Sequence, residues 1–106
     1  MQILLVRSGG FAGTRLSTSI NTEVLPPEEV EPLRAMIESA SFFELPADLN
    51  NQAKMADQFR YQVTIQDEER EHTVRFSDSS MPEKLSPLVH QLITMARSSR
   101  QRGGDR

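Results

Sequence analysis

The chain contains 106 residues, of which 37% are hydrophobic and 25% charged, the length and composition of one folded domain. It has no cysteine, which excludes disulfide bonds, a thiolate zinc site and a cysteine nucleophile. The formal net charge of −3 argues against a nucleic-acid partner, and the longest apolar run, Ile3-Leu4-Leu5-Val6, is too short to cross a membrane. We therefore predict a cytoplasmic, monomeric protein with no membrane partner and no nucleic-acid partner.

The chain begins with the pattern of a β-hairpin. Residues 2–7 are a mostly aliphatic run, apolar on both faces, that stops at Ser8-Gly9-Gly10. A loop over residues 8–14 is predicted to follow. Leu16, Thr18 and Ile20 then recur at every second position of residues 15–20, which predicts the returning strand.

An amphipathic helix is predicted to start at Pro26-Pro27-Glu28-Glu29. Proline is tolerated in the first turn of a helix, and acidic side chains interact favourably with its N-terminus. The apolar residues that follow recur at helical spacing and predict a face packed on a sheet: Val30, Leu33, Met36, Ile37 and Ala40. After the helix, Phe42, Phe43 and Leu45 are expected to anchor an irregular segment to the core.

Residues 47–58 are mostly polar and predict a long surface loop. Loops of this length in a compact domain are often functional, so this one is a second candidate for contact with a partner. Its candidate partner-binding residues are Asn50, Asn51, Gln52 and Met55.

The last two strands and the second helix have the clearest patterns. Strict alternation of apolar and polar residues over 59–66 predicts a half-buried strand, and residues 67–70 form the turn to a returning strand over 72–76. A second amphipathic helix is predicted from residue 82 or 83 to about 97. The residues expected to be buried on the apolar faces are Leu33, Ile37, Tyr61, Val63, Ile65, Val74, Leu88 and Leu92.

These elements together predict an α+β fold. We expect a single four-stranded antiparallel sheet made of two β-hairpins, with two helices packed on one face. Residues 1–97 form the predicted domain. Residues 98–106 are rich in arginine and have no apolar side chain to bury, so we expect a disordered tail.

No constellation of residues predicts catalysis. His72 in a strand and His90 on a helix have no neighbouring ligand pattern, and they are expected to be a partly buried sheet residue and a solvated helix residue. Acidic clusters at the first helix start and at the second hairpin tip are positions where solvated carboxylates are stable. The serines lack a nucleophile elbow. We predict a protein that is not an enzyme and binds no metal and no cofactor.

The first hairpin loop is the leading candidate for a functional site. It contains Ser8, Gly9, Gly10, Phe11, Ala12 and Gly13. A phosphate-binding loop would require a lysine and a following helix, whereas this segment leads from strand to strand. Glycines suit a tight connection, but they do not explain Phe11, which has no packing partner close in sequence. Phe11 is either an exposed contact residue or a core residue folded inward.

The segment Arg7-Ser8-Gly9-Gly10-Phe11-Ala12-Gly13 resembles the signature of the emfourin family, proteinaceous inhibitors of thermolysin-like (M4) metalloproteases. Supporting similarity comes from Leu25-Pro26-Pro27-Glu28-Glu29, Phe42-Phe43-Glu44-Leu45-Pro46, Phe59-Arg60-Tyr61-Gln62-Val63-Thr64 and His72-Thr73-Val74-Arg75. The similar region covers residues 2–97.

The resemblance implies a bacterial protein that docks on the active-site cleft of a thermolysin-like (M4) zinc metalloprotease and blocks substrate access. Such proteases favour a bulky apolar side chain just after the scissile bond, which offers Phe11 a destination. The alternative is a protein-interaction or regulatory domain with a different partner, engaged through the exposed sheet face, where Arg60, Gln62, Thr64 and Gln66 would lie. Both hypotheses describe a binding protein.

Overall fold

The computed structural model describes the backbone of residues 1–9, 14–49 and 58–104. Four strands form one antiparallel sheet in the order β2-β1-β3-β4. The strands are β1 (Gln2–Gly9), β2 (Thr14–Asn21), β3 (Phe59–Gln66) and β4 (Glu71–Ser77), and the helices are α1 (Pro27–Ser39) and α2 (Ser86–Gly104). The predicted α+β fold, with two hairpins in one sheet and two helices, is confirmed.

The strand register separates an inner face from an open face. On the inner face, Leu5 of β1 lies between Thr18 of β2 and Val63 of β3, and Val63 pairs in turn with Val74 of β4. Apolar residues of α1 and α2 join these strands in one buried cluster. The open face consists of the alternate residues Gln2, Leu4, Val6, Ser8, Arg15, Ser17, Ser19, Asn21, Arg60, Gln62, Thr64, Gln66, Glu71, Thr73, Arg75 and Ser77.

The core contains all the residues that the sequence patterns predicted to be buried: Leu33, Ile37, Tyr61, Val63, Ile65, Val74, Leu88 and Leu92. Phe42 is also buried, while Phe43 and Leu45 pack against the cluster and are partly buried. The apolar periodicities therefore identified the faces of α1, β3, β4 and α2 correctly. Among the described residues, no helix is both long and apolar enough to span a membrane.

Several predicted boundaries were wrong. Ser8, Gly9 and Thr14 were predicted in a loop, but Ser8 and Gly9 are paired residues of β1, and Thr14 is the first residue of β2, opposite Gly9. β1 extends beyond its apolar residues because its last two residues pair with neighbouring strands on both sides. The helix predicted to begin at residue 82 or 83 begins instead at Ser86, after a 3₁₀ turn over Glu83–Leu85.

The C-terminal end of α2 also differs from the sequence prediction. The helix was expected to end near Arg97, with residues 98–106 disordered, but α2 continues to Gly104. Adding residues to an existing helix costs little once the first turns are packed, and arginine and glutamine have good helix propensity. The division of the chain into a domain and a tail at residue 97 stays a prediction.

Candidate partner-binding site

The candidate hairpin loop connects two strands whose ends are held together. Gly9, the last residue of β1, pairs with Thr14, the first residue of β2, and on its other side with Phe59, the first residue of β3. Of the six predicted loop residues, Ser8 and Gly9 are therefore part of the sheet. The other four, Gly10, Phe11, Ala12 and Gly13, lie outside the described residues, so the two alternatives for Phe11 both stay open.

Gly9 is required by the local backbone. Its φ of 92° lies in the region that residues with a side chain rarely adopt. A Cβ atom built on Gly9 would also lie 3.1 Å from the carbonyl oxygen of Gln58. The glycine thus lets β1 approach the residue that precedes β3, which is a structural role inside the fold.

Residues 50–57 of the second candidate segment lie outside the described residues, whereas residues 47–49 before them and Gln58 after them are described. Residues 47–49 run alongside β4, where the Leu49 N–H donates to the Arg75 carbonyl oxygen at 2.7 Å and the Arg75 N–H donates to the Ala47 carbonyl oxygen at 2.8 Å. The pairing of Asp48 with Arg75 is parallel, so this stretch runs toward the end of the sheet at which β4 finishes.

Both candidate segments are therefore connected to the same end of the sheet, which we call the loop end. Residues 10–13 join the end of β1 to the start of β2, and residues 50–57, which include Asn50, Asn51, Gln52 and Met55, lead from the β4 edge to the start of β3. Since β4 finishes at Ser77 opposite Arg60, and β3 starts beside Gly9, the described residues that flank these two connections lie at one end of the sheet. The sequence had suggested two separate candidates.

An arginine occupies the inner face directly beneath the loop end. Arg7 follows Ile3 and Leu5 on that face and lies opposite Leu16 and Tyr61. Its guanidinium carbon lies 4.2 Å from the centroid of the Phe59 ring, a favourable cation–π contact. Its Nε is buried and has no hydrogen-bond partner. A cation at a position where the pattern predicts an apolar residue marks this end of the inner face as different from the rest of the core.

The carboxylate of Asp78 links the start of β3 to the turn that follows β4 through hydrogen bonds. The Tyr61 hydroxyl donates to Asp78 Oδ1 at 2.7 Å, and the Phe59 N–H donates to Asp78 Oδ2 at 2.9 Å. Burial of Tyr61 raises its pKa to about 12, and the hydrogen bond to Asp78 and the charge of that carboxylate act in the same direction. The turn is held further by the Ser79 N–H, which donates to Gln58 Oε1 at 3.1 Å.

The sequence did not reveal this cluster of Arg7, Phe59, Tyr61 and Asp78. Asp78 was interpreted only as part of a polar stop after the fourth strand, and it lies 17 positions after Tyr61, with a strand, a turn and a second strand between them. The cluster fixes the base from which residues 10–13 emerge, because it joins β1, β3 and the turn after β4. Its side chains therefore hold together the strand ends that flank residues 10–13.

The described residues offer no metal centre. They contain no group of three or more histidine or acidic side chains placed to hold a metal ion. Nε2 of His72 lies 2.6 Å from the Leu45 carbonyl oxygen, and the imidazole packs edge-on against Phe42. His90 is exposed on α2. The histidines thus occupy the structural positions that the sequence predicted.

Comparison with known families supplies the decisive observation. The Emfourin family model matches residues 5–93, from within β1 to within α2. The chain belongs to the Emfourin family. The match includes the glycine-rich segment, the cluster beneath it and the flanks of the second candidate segment. No curated protein and no solved structure matches the chain. Emfourin is an inhibitor family and not an enzyme family, so membership implies a general role as a protease inhibitor.

Proposed function

We propose that this protein inhibits a thermolysin-like (M4) zinc metalloprotease by docking on its active-site cleft and blocking substrate access through residues 8–13. The observation that supports the proposal is the Emfourin match over residues 5–93, which contains the whole glycine-rich segment. The identity of the protease class and the use of this loop extend beyond family membership. A bacterial source, a cytoplasmic location and a monomeric state stay predictions.

The geometry of the loop end supports a role in binding. An inhibitor loop loses less conformational entropy on binding when its ends are already fixed. Here the four residues 10–13 join Gly9 to Thr14, which are already paired across the hairpin. The cation–π contact of Arg7 and the hydrogen bonds of Asp78 stabilise the strands below. Binding through this loop would therefore require little rearrangement of the scaffold.

Phe11 is the proposed anchor. In this proposal its ring enters an apolar pocket of the protease, while the glycines on either side allow the backbone to approach the wall of the cleft. The inhibitor is neither a cofactor carrier nor a metal chelator in this scheme, since inhibition results from occupation of the cleft. Asn50, Asn51, Gln52 and Met55 are proposed as secondary contacts because their segment is connected to the same end of the sheet.

The test is a titration of the purified protein into a thermolysin-like protease with a short peptide substrate. Replacing a buried aromatic anchor at an interface by alanine often costs about 2 kcal/mol, which is more than tenfold in affinity. We expect Phe11→Ala to weaken inhibition by at least this factor without lowering the melting temperature. Val24→Ala is the matched control, because Val24 is a 77% exposed apolar residue close to the opposite end of β2.

The outcomes separate the two alternatives for Phe11. A melting temperature lowered by several degrees in Phe11→Ala, with inhibition lost only in proportion to unfolding, would mean that the ring is a core residue. Unchanged inhibition by a fully folded variant would refute the anchor role. Failure of the wild-type protein to inhibit any thermolysin-like protease would refute the proposed function and favour the alternative of a different protein partner.

A further inference from the structure

The open face of the sheet has an apolar centre. Leu4 is 39% exposed and, with Val24, is one of two exposed large hydrophobic residues among the described parts of the chain. Val6 follows Leu4 on the same face. In the strand register Leu4 lies between Ser19 and Thr64, whose short side chains leave it accessible. β1 thus has apolar residues on both faces, although only its inner face belongs to the core.

Three arginines lie on the open face near the loop end. Arg15 of β2 and Arg60 of β3 are the two neighbours of Ser8 in the register, and Arg75 of β4 lies opposite Gln62. All three arginines are exposed. Arg75 Nε donates to Gln62 Oε1 at 3.3 Å. We call Arg15, Arg60 and Arg75 the arginine row.

The arginine row has no ion pair with another residue in the described parts of the chain. The ion pairs among the described residues join the N-terminus to Glu23 and Arg70 to Asp67, and none involves the row. Asp48 is near the row, since its backbone pairs with that of Arg75, and Asp78 accepts a hydrogen bond from the Phe59 N–H beside Arg60, whereas Glu71 lies at the opposite end of the face. A chain with a formal net charge of −3 therefore presents three exposed arginines on one face of its sheet, beside its candidate binding loop.

We infer that the open face docks on an acidic surface of the protease, with Leu4 and Val6 as the apolar centre of the contact and the arginine row as its charged rim. The inference rests on the proposed function. Protein interfaces commonly combine an apolar centre with a polar rim and are enriched in arginine. The row is continuous with the loop end through Ser8, so one partner can contact both regions.

Charge complementarity supports an acidic partner. A protein with net negative charge is repelled by an acidic surface except in orientations that present its positive region. The arginine row would therefore select the orientation that brings the loop end to the cleft, and such steering acts mainly on the association rate. A nucleic acid fits less well, because the open face has no aromatic side chain on which a base could stack.

The test compares two variants of equal net charge. The first replaces Arg15, Arg60 and Arg75 by glutamine. The control replaces Arg34, Lys84 and Arg97 by glutamine. These three residues are exposed on or beside the helices, away from the open face. Rates of association with the protease are measured at low and at high salt, and circular dichroism establishes that both variants are folded.

We expect the first variant to associate about tenfold more slowly than wild type at low salt, with the difference shrinking at high salt and little change in the dissociation rate. The control should associate within about twofold of wild type. Separately, Leu4→Ala should accelerate dissociation, because it removes the apolar centre of the contact, whereas Val24→Ala should not.

Equal association rates for the two triple variants would overturn the inference while leaving inhibition by the loop intact. Binding of a duplex oligonucleotide by the wild-type protein, lost in the first variant without any change in protease association, would also overturn it and assign the face to nucleic acid. If the wild-type protein inhibits no thermolysin-like protease, the proposed function itself fails and the inference fails with it.

Discussion

The tyrosine beneath the loop end can be titrated by itself. The chain has one tyrosine and no tryptophan, so tyrosinate absorbance reports Tyr61 alone. Burial raises its pKa from 10.0 to about 12, with Asp78 adding in the same direction through its hydrogen bond and charge, while Arg7 acts in the opposite direction. We expect the native protein to ionise well above the urea-unfolded chain, whose tyrosine has its ordinary pKa.

The same shift makes stability depend on pH. The raised pKa means that the folded state holds the phenol proton more tightly than the unfolded state between pH 10.0 and about 12. The contribution of Tyr61 to the free energy of unfolding is therefore fully present below pH 10.0 and decreases as the pH rises through this window. The steepest slope for one proton is about 1.4 kcal/mol per pH unit.

The substitution Asp78→Asn separates the causes of the shift. It removes the charge of the carboxylate but leaves Tyr61 buried, so the pKa of Tyr61 should fall below the wild-type value and stay above 10.0. The assay follows tyrosinate absorbance and circular dichroism together along a pH series. Ionisation of the wild-type protein at pH 10.0 with its circular dichroism intact would refute the Tyr61–Asp78 arrangement.

Three further predictions concern the scaffold. Leu88→Ala should lower the free energy of unfolding by about 2–5 kcal/mol in a denaturant titration, because removal of a fully buried side chain leaves a cavity. A loss below about 0.5 kcal/mol would show that α2 is not packed as described. Gly9→Ala should cost about 1–3 kcal/mol in the same assay, because of its positive φ and the close Gln58 carbonyl, and a neutral result would contradict that geometry. Removal of residues 98–106 should leave inhibition unchanged, and loss of protease binding would move the interface to the tail.

The elements predicted best from the sequence are those with an unbroken periodic pattern. β3 was predicted at its observed bounds, Phe59–Gln66, because every second side chain enters the core. The buried faces of α1 and α2 followed from helical spacing in the same way. Such patterns can be recognised in a sequence because side chains two positions apart in a strand, or three or four positions apart in a helix, lie on the same face and are buried together.

The features that were missed depend on contacts between distant segments. The pairing of Asp48 with Arg75 joins a polar stretch to the edge of β4 and has no periodic signal. Asp78 accepts hydrogen bonds from Tyr61 and Phe59 because the pairing of β3 with β4 brings the turn after β4 next to the start of β3. The sequence placed Arg7 at the end of the first predicted strand and in the family motif, but it did not predict the contact of Arg7 with Phe59, because that contact depends on the register between β1 and β3.

The pairing of Gly9 with Thr14 makes this domain a natural starting point for engineering. A combinatorial library that varies only residues 10–13 would leave every described strand and helix unchanged, since the flanking pair already closes the hairpin. Selection of such a library against different proteases would change specificity without sampling the core. The N-terminus is a suitable attachment point for surface display of such a library. Met1 lies beside Thr22, which follows the end of β2 that is remote from residues 10–13.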